Sequence, residues 1–238
     1  MLELDYDLQQ LTQLALGPAS APFVPARKLK KNYRSVTGFI TIKGRQQTFE
    51  SDLEHDYLTL LDFDPSVETV FQQPITIRYR YEPGRWNVFT PDFFVRRFDR
   101  SMEVVEIKYR KELRQEWPQL RPRYRAAVAF AKRAVGPHCR FIIKADHKIR
   151  IPALRQIQFL RDFRDYPERP SICRAIEVAA ALPFQTVESL AGAAAGESSD
   201  KGAAVAQVWR MVWTGVLAAN LDRPLGLHTQ ISLARPRP

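Results

Sequence analysis

Cysteine is scarce in this 238-residue chain: Cys139 and Cys173 stand far apart and outside any CxxC or Cys/His spacing. That excludes a disulfide framework and a zinc motif, and assigns both thiols to the core, where free cysteine usually packs. No apolar run approaches the ~20 residues that a membrane-crossing helix needs. The opening MLELDYDLQQ is acidic where a signal or transit peptide would be basic, so a cytoplasmic protein with no membrane partner is expected. There is no GxxxxGK[ST] loop, hence no nucleotide cofactor is expected. No internal repeat is found. What is present is ordinary for a folded protein, with 45% hydrophobic residues, enough for one large domain or two modest ones.

Charge is the first positive signal. The chain carries 36 Lys and Arg against 26 Asp and Glu, a net charge of +10. Residues 1–26 hold three acids and no base, and residues 171–238 hold six bases and five acids. The stretch from 27 to 170 therefore keeps 30 of the bases and 18 of the acids. A basic surplus in the middle of the chain points to a polyanionic partner such as nucleic acid. Its densest part is Arg27, Lys28, Lys30, Lys31 and Arg34, followed by Lys43 and Arg45, with Tyr33 and Phe39 interleaved and no acid among them. These five leading cations are the candidate DNA-backbone contacts, the plain alternative being a solvated arm.

Periodicity divides the chain into three parts: an acidic flexible extension over 1–26 ending in the Pro- and Ala-rich tether 17–25, a catalytic domain over 27–165, and a small C-terminal domain over 171–238. Between 49 and 61 apolar residues recur at helical spacing, with Ser51 as N-cap and Glu54 as its capping-box partner. Three strand-like runs follow, 68–81, 87–95 and 102–109, then a helix from about 124 to 135 and a strand over 140–143. The composition shift at 164–170 marks a boundary. Beyond it come helices over 172–182, from Thr186 as N-cap through 191, and over 203–214. A terminal hairpin then turns at Pro224-Leu-Gly226, an arrangement that suggests a winged helix. The fold class expected is α/β, a restriction-endonuclease-like PD-(D/E)xK core of αβββαβ order around a mixed sheet, followed by this winged-helix-like domain.

The chemistry is concentrated on two of the strands. A period of two along Met102-Glu-Val-Val-Glu-Ile-Lys108 puts Met102, Val104, Glu106 and Lys108 on one face. One run earlier, Asp92 follows a proline that cannot sit in a central ladder, so Asp92 belongs at a strand start or bend. Pro91-Asp92 and Glu106-Ile107-Lys108 together spell PD…ExK, with thirteen residues between Asp92 and Glu106. Phosphodiester hydrolysis needs an activated water, neutralised phosphoryl oxygens and a stabilised leaving alkoxide, all of which Mg²⁺ held by carboxylates supplies. Asp92, Glu106 and the backbone carbonyl of Ile107 are the expected metal ligands. Lys108 is expected to stay protonated, orient the water and hold the scissile phosphate. The helix before the strands can send an acid into the same cleft, and spacing leaves Glu54 and Glu50 both open.

Taken in order, Glu50-Ser-Asp-Leu-Glu54, Leu60-Leu-Asp-Phe-Asp-Pro65, Phe71-Gln-Gln-Pro74, Thr90-Pro-Asp-Phe93 and Glu106-Ile-Lys108 resemble the N-terminal domain of the TnsA family over roughly residues 30–150. This family comprises endonuclease subunits of Tn-seven-like heteromeric transposases, some CRISPR-associated. A weaker likeness to the closing helix and first hairpin strand of the family's C-terminal domain extends over 213–222. The resemblance implies a Mg²⁺-dependent endonuclease subunit, with two ions per site and Mn²⁺ able to substitute. It implies cleavage at the 5′ ends of a transposon in double-stranded DNA, in the bacterial cytoplasm and on the nucleoid. The partners implied are a TnsB-type integrase and a TnsC-type AAA+ ATPase, the latter contacted through the C-terminal domain. Its catalytic set falls on Glu54, Asp92, Glu106 and Lys108, which favours Glu54 over Glu50, while Gln73 matches a recurrent glutamine for which a structural role is expected. Two rival readings are a stand-alone restriction or repair nuclease and a catalytically silent DNA-binding subunit.

Overall fold

The computed structural model describes residues 1–27, 36–81, 84–195 and 200–234, and the chain divides into two units, Met1–Arg150 and Ile151–Pro238. In the first unit the elements run β1 (Leu2–Asp5), α1 (Leu8–Leu16), β2 (Gly38–Ile42), β3 (Arg45–Phe49), α2 (Asp52–Phe63), β4 (Val67–Gln72), β5 (Ile77–Tyr81), β6 (Asn87–Phe89), β7 (Phe93–Arg97), β8 (Met102–Lys108), α3 (Arg110–Phe130), β9 (Cys139–Ala145) and α4 (Asp146–Ile149). A π-helical turn, Ala131–Val135, extends α3.

The central sheet is mixed, in the order β4-β7-β8-β9, antiparallel except for the parallel β8–β9 pair. Strand alternation gives it two apolar faces. Val70, Phe93, Val95, Val105 and Ile107 pack with Leu53, Tyr57 and Leu58 of α2 and with Ile40, Ile42 and Phe49 of the β2–β3 hairpin. Phe71, Phe94 and Val104 pack with Leu11 and Leu14 of α1 and Leu120, Tyr124, Ala127 and Phe130 of α3. Covering helices on both faces are what the strands' near-continuous apolar runs require.

Two of the expected strands are each bent into two. Residues 68–81 form β4 in the central sheet and β5 in a second sheet of order β1-β5-β6, and residues 87–95 form β6 and β7 in the same two sheets. The bends lie side by side. Pro74 and Pro91 remove the amides a continuous ladder would need, Gln73 takes a φ of 42°, the Gln73 amide donates to the Asp92 carbonyl at 2.7 Å, and the Thr76 and Thr90 hydroxyls are bonded at 3.1 Å. A hairpin is thus creased across its middle.

The N-terminal segment is not a flexible extension, contrary to expectation. β1 pairs antiparallel with β5, and its acids meet that strand's arginines, Glu3 with Arg80 at 2.6 Å and Asp5 with Arg78 at 3.1 Å. α1 is capped by Asp7 and buries Leu11 and Leu14. The tether that follows is held by two arginines: Arg96 donates to the carbonyls of Leu14 and Gly17, and Arg45 to those of Ala19 and Ala21. Carbonyl acceptors carry no sequence signature, which is why composition alone suggested freedom.

Two further expectations are corrected, and a segment given no element in the sequence acquires one. The segment after the basic run is the β2–β3 hairpin, closed by Lys43 and Gly44, both at positive φ as a two-residue type I′ turn requires. The helix expected from about 124 begins fourteen residues earlier in sequence, at Arg110, and passes through Pro118 and Pro122. Pro118 lies on the exposed side, where water can take the carbonyl its missing N–H leaves over. The division between units falls after Arg150 rather than at 164–170.

The second unit contains α5 (Ala153–Arg161), α6 (Pro170–Ala180), β10 (Gln185–Thr186), α7 (Val187–Ala195), α8 (Lys201–Trp213), β11 (Leu217–Ala219) and β12 (Gln230–Leu233). Its sheet has the order β10-β12-β11. The 164–170 stretch is interior to this unit, since Gln207 donates to the Pro167 carbonyl and Arg210 pairs with Glu168. Trp209 on α8 is buried against Phe159 of α5, ring centroids 5.4 Å apart, so of the two readings open to the aromatic stripe around it, a partner surface and ordinary core packing, the structure supports core packing. Cys139 and Cys173 are both free and buried, as expected.

Arg96→Met should remove the bidentate bond to Glu68 together with both carbonyl anchors of the N-terminal segment. Breaking a buried pair in this way costs about 3–5 kcal/mol. Urea denaturation should register that loss, and limited proteolysis should newly cut near Ala19–Ala21; a variant with wild-type stability and no new cut would deny the anchoring role.

Candidate active site

The crease in the hairpin determines where Asp92 sits. Phe93 opens β7 opposite Val105 of β8, so the residue just before it comes beside Glu106, and the Ile107 amide donates to Asp92 Oδ2 at 2.7 Å. On β8, Val105 and Ile107 face α2 while Val104 faces α3, so Glu106 points toward α3. There Arg123 Nη2 donates to Glu106 Oε1 at 3.2 Å. The expected shared face of Met102, Val104, Glu106 and Lys108 follows from the same alternation.

Glu54 approaches from the start of α2. Ser51 caps that helix, accepting the Glu54 amide at 3.2 Å, and the Glu54 carboxylate reaches back to the Ser51 hydroxyl at 3.0 Å and the Glu50 amide at 2.9 Å. This is the expected capping box with its return bond shifted one residue outward. Glu50 faces elsewhere, bonded to Arg27 at 2.9 Å and to Gln73 Nε2 at 3.2 Å. Of the two helical acids left open by spacing, it is Glu54 whose charge reaches both strand carboxyls. Gln73, 4% exposed, holds Glu50 through its side chain and Asp92 through its backbone, a structural part in keeping with expectation.

Three acids this close in a poorly solvated place resist ionising together. Burial raises the Asp92 carboxyl well above its ordinary range, and the Glu106 and Glu54 charges add to the effect. Burial likewise lifts Glu106 to about 7 even though Arg123, Lys108 and a hydrogen bond to Asp92 pull it down. Glu54 is raised by burial against the opposition of its cap bonds. Lys108 acts on both strand carboxyls, and its ammonium pairs with Glu112 at 3.3 Å. The structure therefore brings Glu54, Asp92, Glu106 and Lys108 into one electrostatic neighbourhood.

The donors available to an ion are all carboxylate or carbonyl oxygens, the chemistry that hard divalent cations prefer. Among the described residues no group of three or more His, Cys, Asp or Glu side chains is gathered closely enough to hold an ion as it stands. The pair Asp92 and Glu106 fits a divalent cation, since two buried carboxyls that oppose each other's ionisation mark a place where positive charge is wanted. Glu54 would join them only by releasing a cap bond.

Of the candidate DNA contacts, Lys28, Lys30, Lys31 and Arg34 lie outside the described residues, and Arg27 is engaged with Glu50. Lys43 and Arg45 serve the fold: the Lys43 ammonium donates to the Asp64 carbonyl at 2.8 Å, and Arg45 lies over the Phe71 ring. The residue that sequence reading missed is Arg123. Its one visible signal was the cluster Arg121-Pro-Arg-Tyr-Arg125, obscured because Pro122 within it and Pro118 before it argued against a helix.

Glu106 supplies a pH test. An acid whose carboxyl is raised by folding costs stability when ionised, so the Glu106 contribution should lower the stability of the metal-free protein as pH climbs from about 4.5 to about 7. Glu106→Gln, which can still accept from Arg123, should be more stable than the parent at pH 8 by on the order of 3 kcal/mol. At pH 4.5 the gain should vanish. Thermal melts in chelator would read this, and equal melting temperatures at pH 8 would mean that Glu106 ionises at no cost.

No curated protein matches the chain. Residues 64–139 match the sequence profile of the family described as TnsA-like endonuclease N terminal. The match runs from the end of α2 to the first residue of β9, covering Asp92, Glu106, Lys108 and Arg123 and stopping short of Glu54. Motif resemblance and profile thus coincide on the strands that carry the carboxyl pair, and residues 64–139 of this protein are similar to the TnsA-like endonuclease N-terminal domain, which supports a TnsA-type subunit.

Proposed function

We propose that the protein is a Mg²⁺-dependent DNA endonuclease, the subunit of a heteromeric transposase that cuts the 5′ ends of a transposon. The observation that carries this is the Asp92–Glu106 carboxyl pair with Lys108 beside it, lying within the matched endonuclease segment. The order α2, β4, β7, β8, α3, β9 around a mixed sheet supports a PD-(D/E)xK core.

Asp92, Glu106 and the Ile107 carbonyl would hold the ions, two per site, with Glu54 completing the set on release from its cap. When bound, the metal supplies an activated water and neutralises the phosphoryl oxygens. The chain's own groups do the positioning. The Ile107 amide fixes one Asp92 oxygen. Lys108 would turn from Glu112 toward the scissile phosphate and the attacking water, and the covering α2 and α3 keep bulk water from the buried side of the pair.

In the second unit, the order α6, β10, α7, α8, β11, β12 with sheet order β10-β12-β11 supports a winged-helix reading. The α8 helix, in the place of a recognition helix, buries most of its length, and Arg210 near its end is paired with Glu168. That favours a protein partner for this unit, a TnsC-type ATPase, over base reading. A TnsB-type integrase would then supply the end sequence. Among the described residues no helix is long and apolar enough to cross a membrane.

Strand-resolved cleavage of labelled transposon-end DNA in Mg²⁺ tests the whole reading. With a TnsB-type integrase present, 5′ cuts should appear and Asp92→Ala should reduce them by at least about a hundredfold, the scale of losing a charge-stabilising group. Robust cutting by the chain alone would make it a stand-alone nuclease, and no cutting under any condition would make it a silent DNA-binding subunit. Lys108→Ala should abolish cleavage while keeping divalent-ion binding by calorimetry; loss of the ion as well would mean that the lysine holds the ligands rather than the phosphate.

A further inference from the structure

Arg123 stands outside the set of strand and helix residues just described, yet it touches that set directly. It comes from α3, seventeen residues beyond Glu106 in sequence, and its Nη2 lies 3.2 Å from Glu106 Oε1. Glu106 is 6% exposed and the Arg123 side chain 29%, so the contact joins a buried carboxyl to a partly buried guanidinium. The guanidinium is held in place by two rings, 5.5 Å from the centroid of Phe89 and 5.2 Å from that of Tyr124. Phe89 and Tyr124 are themselves packed edge to face, so the arginine rests on a fixed aromatic corner. Its Nε is buried and has no hydrogen-bond partner, so one donor of the fork is unused in this state.

Such a placement is costly unless the charge has a task there, since desolvating a guanidinium and leaving a donor unsatisfied both oppose folding. The task it fits is compensation. Glu54 and Asp92 both act on Glu106, and among the described residues Arg123 donates to the Glu106 carboxyl while Lys108 is paired with Glu112. A cation bonded to Glu106 does two things to an incoming ion. It occupies an oxygen the ion would use, and it repels a second positive charge at close range.

We propose that Arg123 is a positioning residue, a resident counter-cation that holds the Glu106 carboxylate in place in the metal-free protein and must yield it before a divalent ion binds, so that it sets the affinity of the site. This rests on the reading of Glu106 as a metal ligand. The aromatic corner gives the displaced guanidinium somewhere to remain, stacked on Phe89 and Tyr124 with its fork free to face an anion.

The test is Mn²⁺ binding to the full chain, followed by calorimetry and by electron paramagnetic resonance of the free ion, for the parent, Arg123→Ala, Arg123→Lys and Glu106→Gln. Arg123→Ala should bind Mn²⁺ more tightly, on the order of tenfold, while melting at a lower temperature than the parent in chelator. Arg123→Lys should fall between the two, because it keeps the charge and loses the stacked fork. A purely structural arginine would lower the melting temperature and leave Mn²⁺ affinity unchanged or weaker, and that result would overturn the proposal. If the parent binds no Mn²⁺, or Glu106→Gln binds it as well as the parent, the metal-ligand reading itself falls. If Glu106→Gln loses the ion and Arg123→Ala does not gain affinity, only the role given to Arg123 is overturned.

Discussion

Where the long hairpin passes from one sheet to the other, the Gln73 amide donates to the Asp92 carbonyl, two prolines interrupt the ladders, and two threonine hydroxyls tie the strands together just beyond. The position of everything chemical follows from this crease. A straight β6–β7 strand would keep Asp92 in the plane of a ladder, with its side chain facing an apolar layer. Bent there, the chain starts β7 at Phe93 and leaves Asp92 free to accept from Ile107 and to lie against Glu106. The strained Gln73 backbone is the local expense of that arrangement, in line with the clustering of unusual backbone angles at functional sites.

The same crease makes the site electrostatically expensive. Asp92 and Glu106 are pressed together where water is thin, Glu54 adds its charge from the start of α2, and the protein answers with a shared hydrogen bond, a capping box and an arginine on aromatic rings. None of these fully relieves the repulsion, and the carboxyls stay protonated further up the pH scale than free acids do. A site that binds hard cations needs this tension. Carboxylates satisfied completely by the fold would have little to gain from an ion, whereas these would be relieved by one.

Much of this could be read from the chain. Pro91-Asp92 and Glu106-Ile-Lys108 announced two adjacent strands with outward chemistry because period-two alternation and the proline rule are local. Ser51 and Glu54 announced a helix start for the same reason. What escaped was long-range or made by backbone atoms. The acids of β1 look like a solvated tail until the arginines of β5, more than seventy residues away, are placed opposite them. Arg45 looks like a DNA-binding charge until its acceptors turn out to be carbonyls of the tether, a task that Arg96 shares without any sign in the sequence. Arg123 lay in a segment whose prolines suggested a break, although α3 continues through both. The Trp209 stripe was ambiguous because core and interface use the same residues, and only burial separates them.

The charge pattern on β1 and β5 also governs what those strands do before they meet. β1 is synthesised early and must wait for β5, with more than seventy residues between paired positions. An unpaired strand in that interval could join a copy of itself on a neighbouring nascent chain. Two β1 strands side by side would set Glu3 and Asp5 against like charges, and two β5 strands would do the same with Arg78 and Arg80. Only the mixed pair brings opposite charges together, so the acids of β1 and the arginines of β5 disfavour pairing of either strand with a copy of itself.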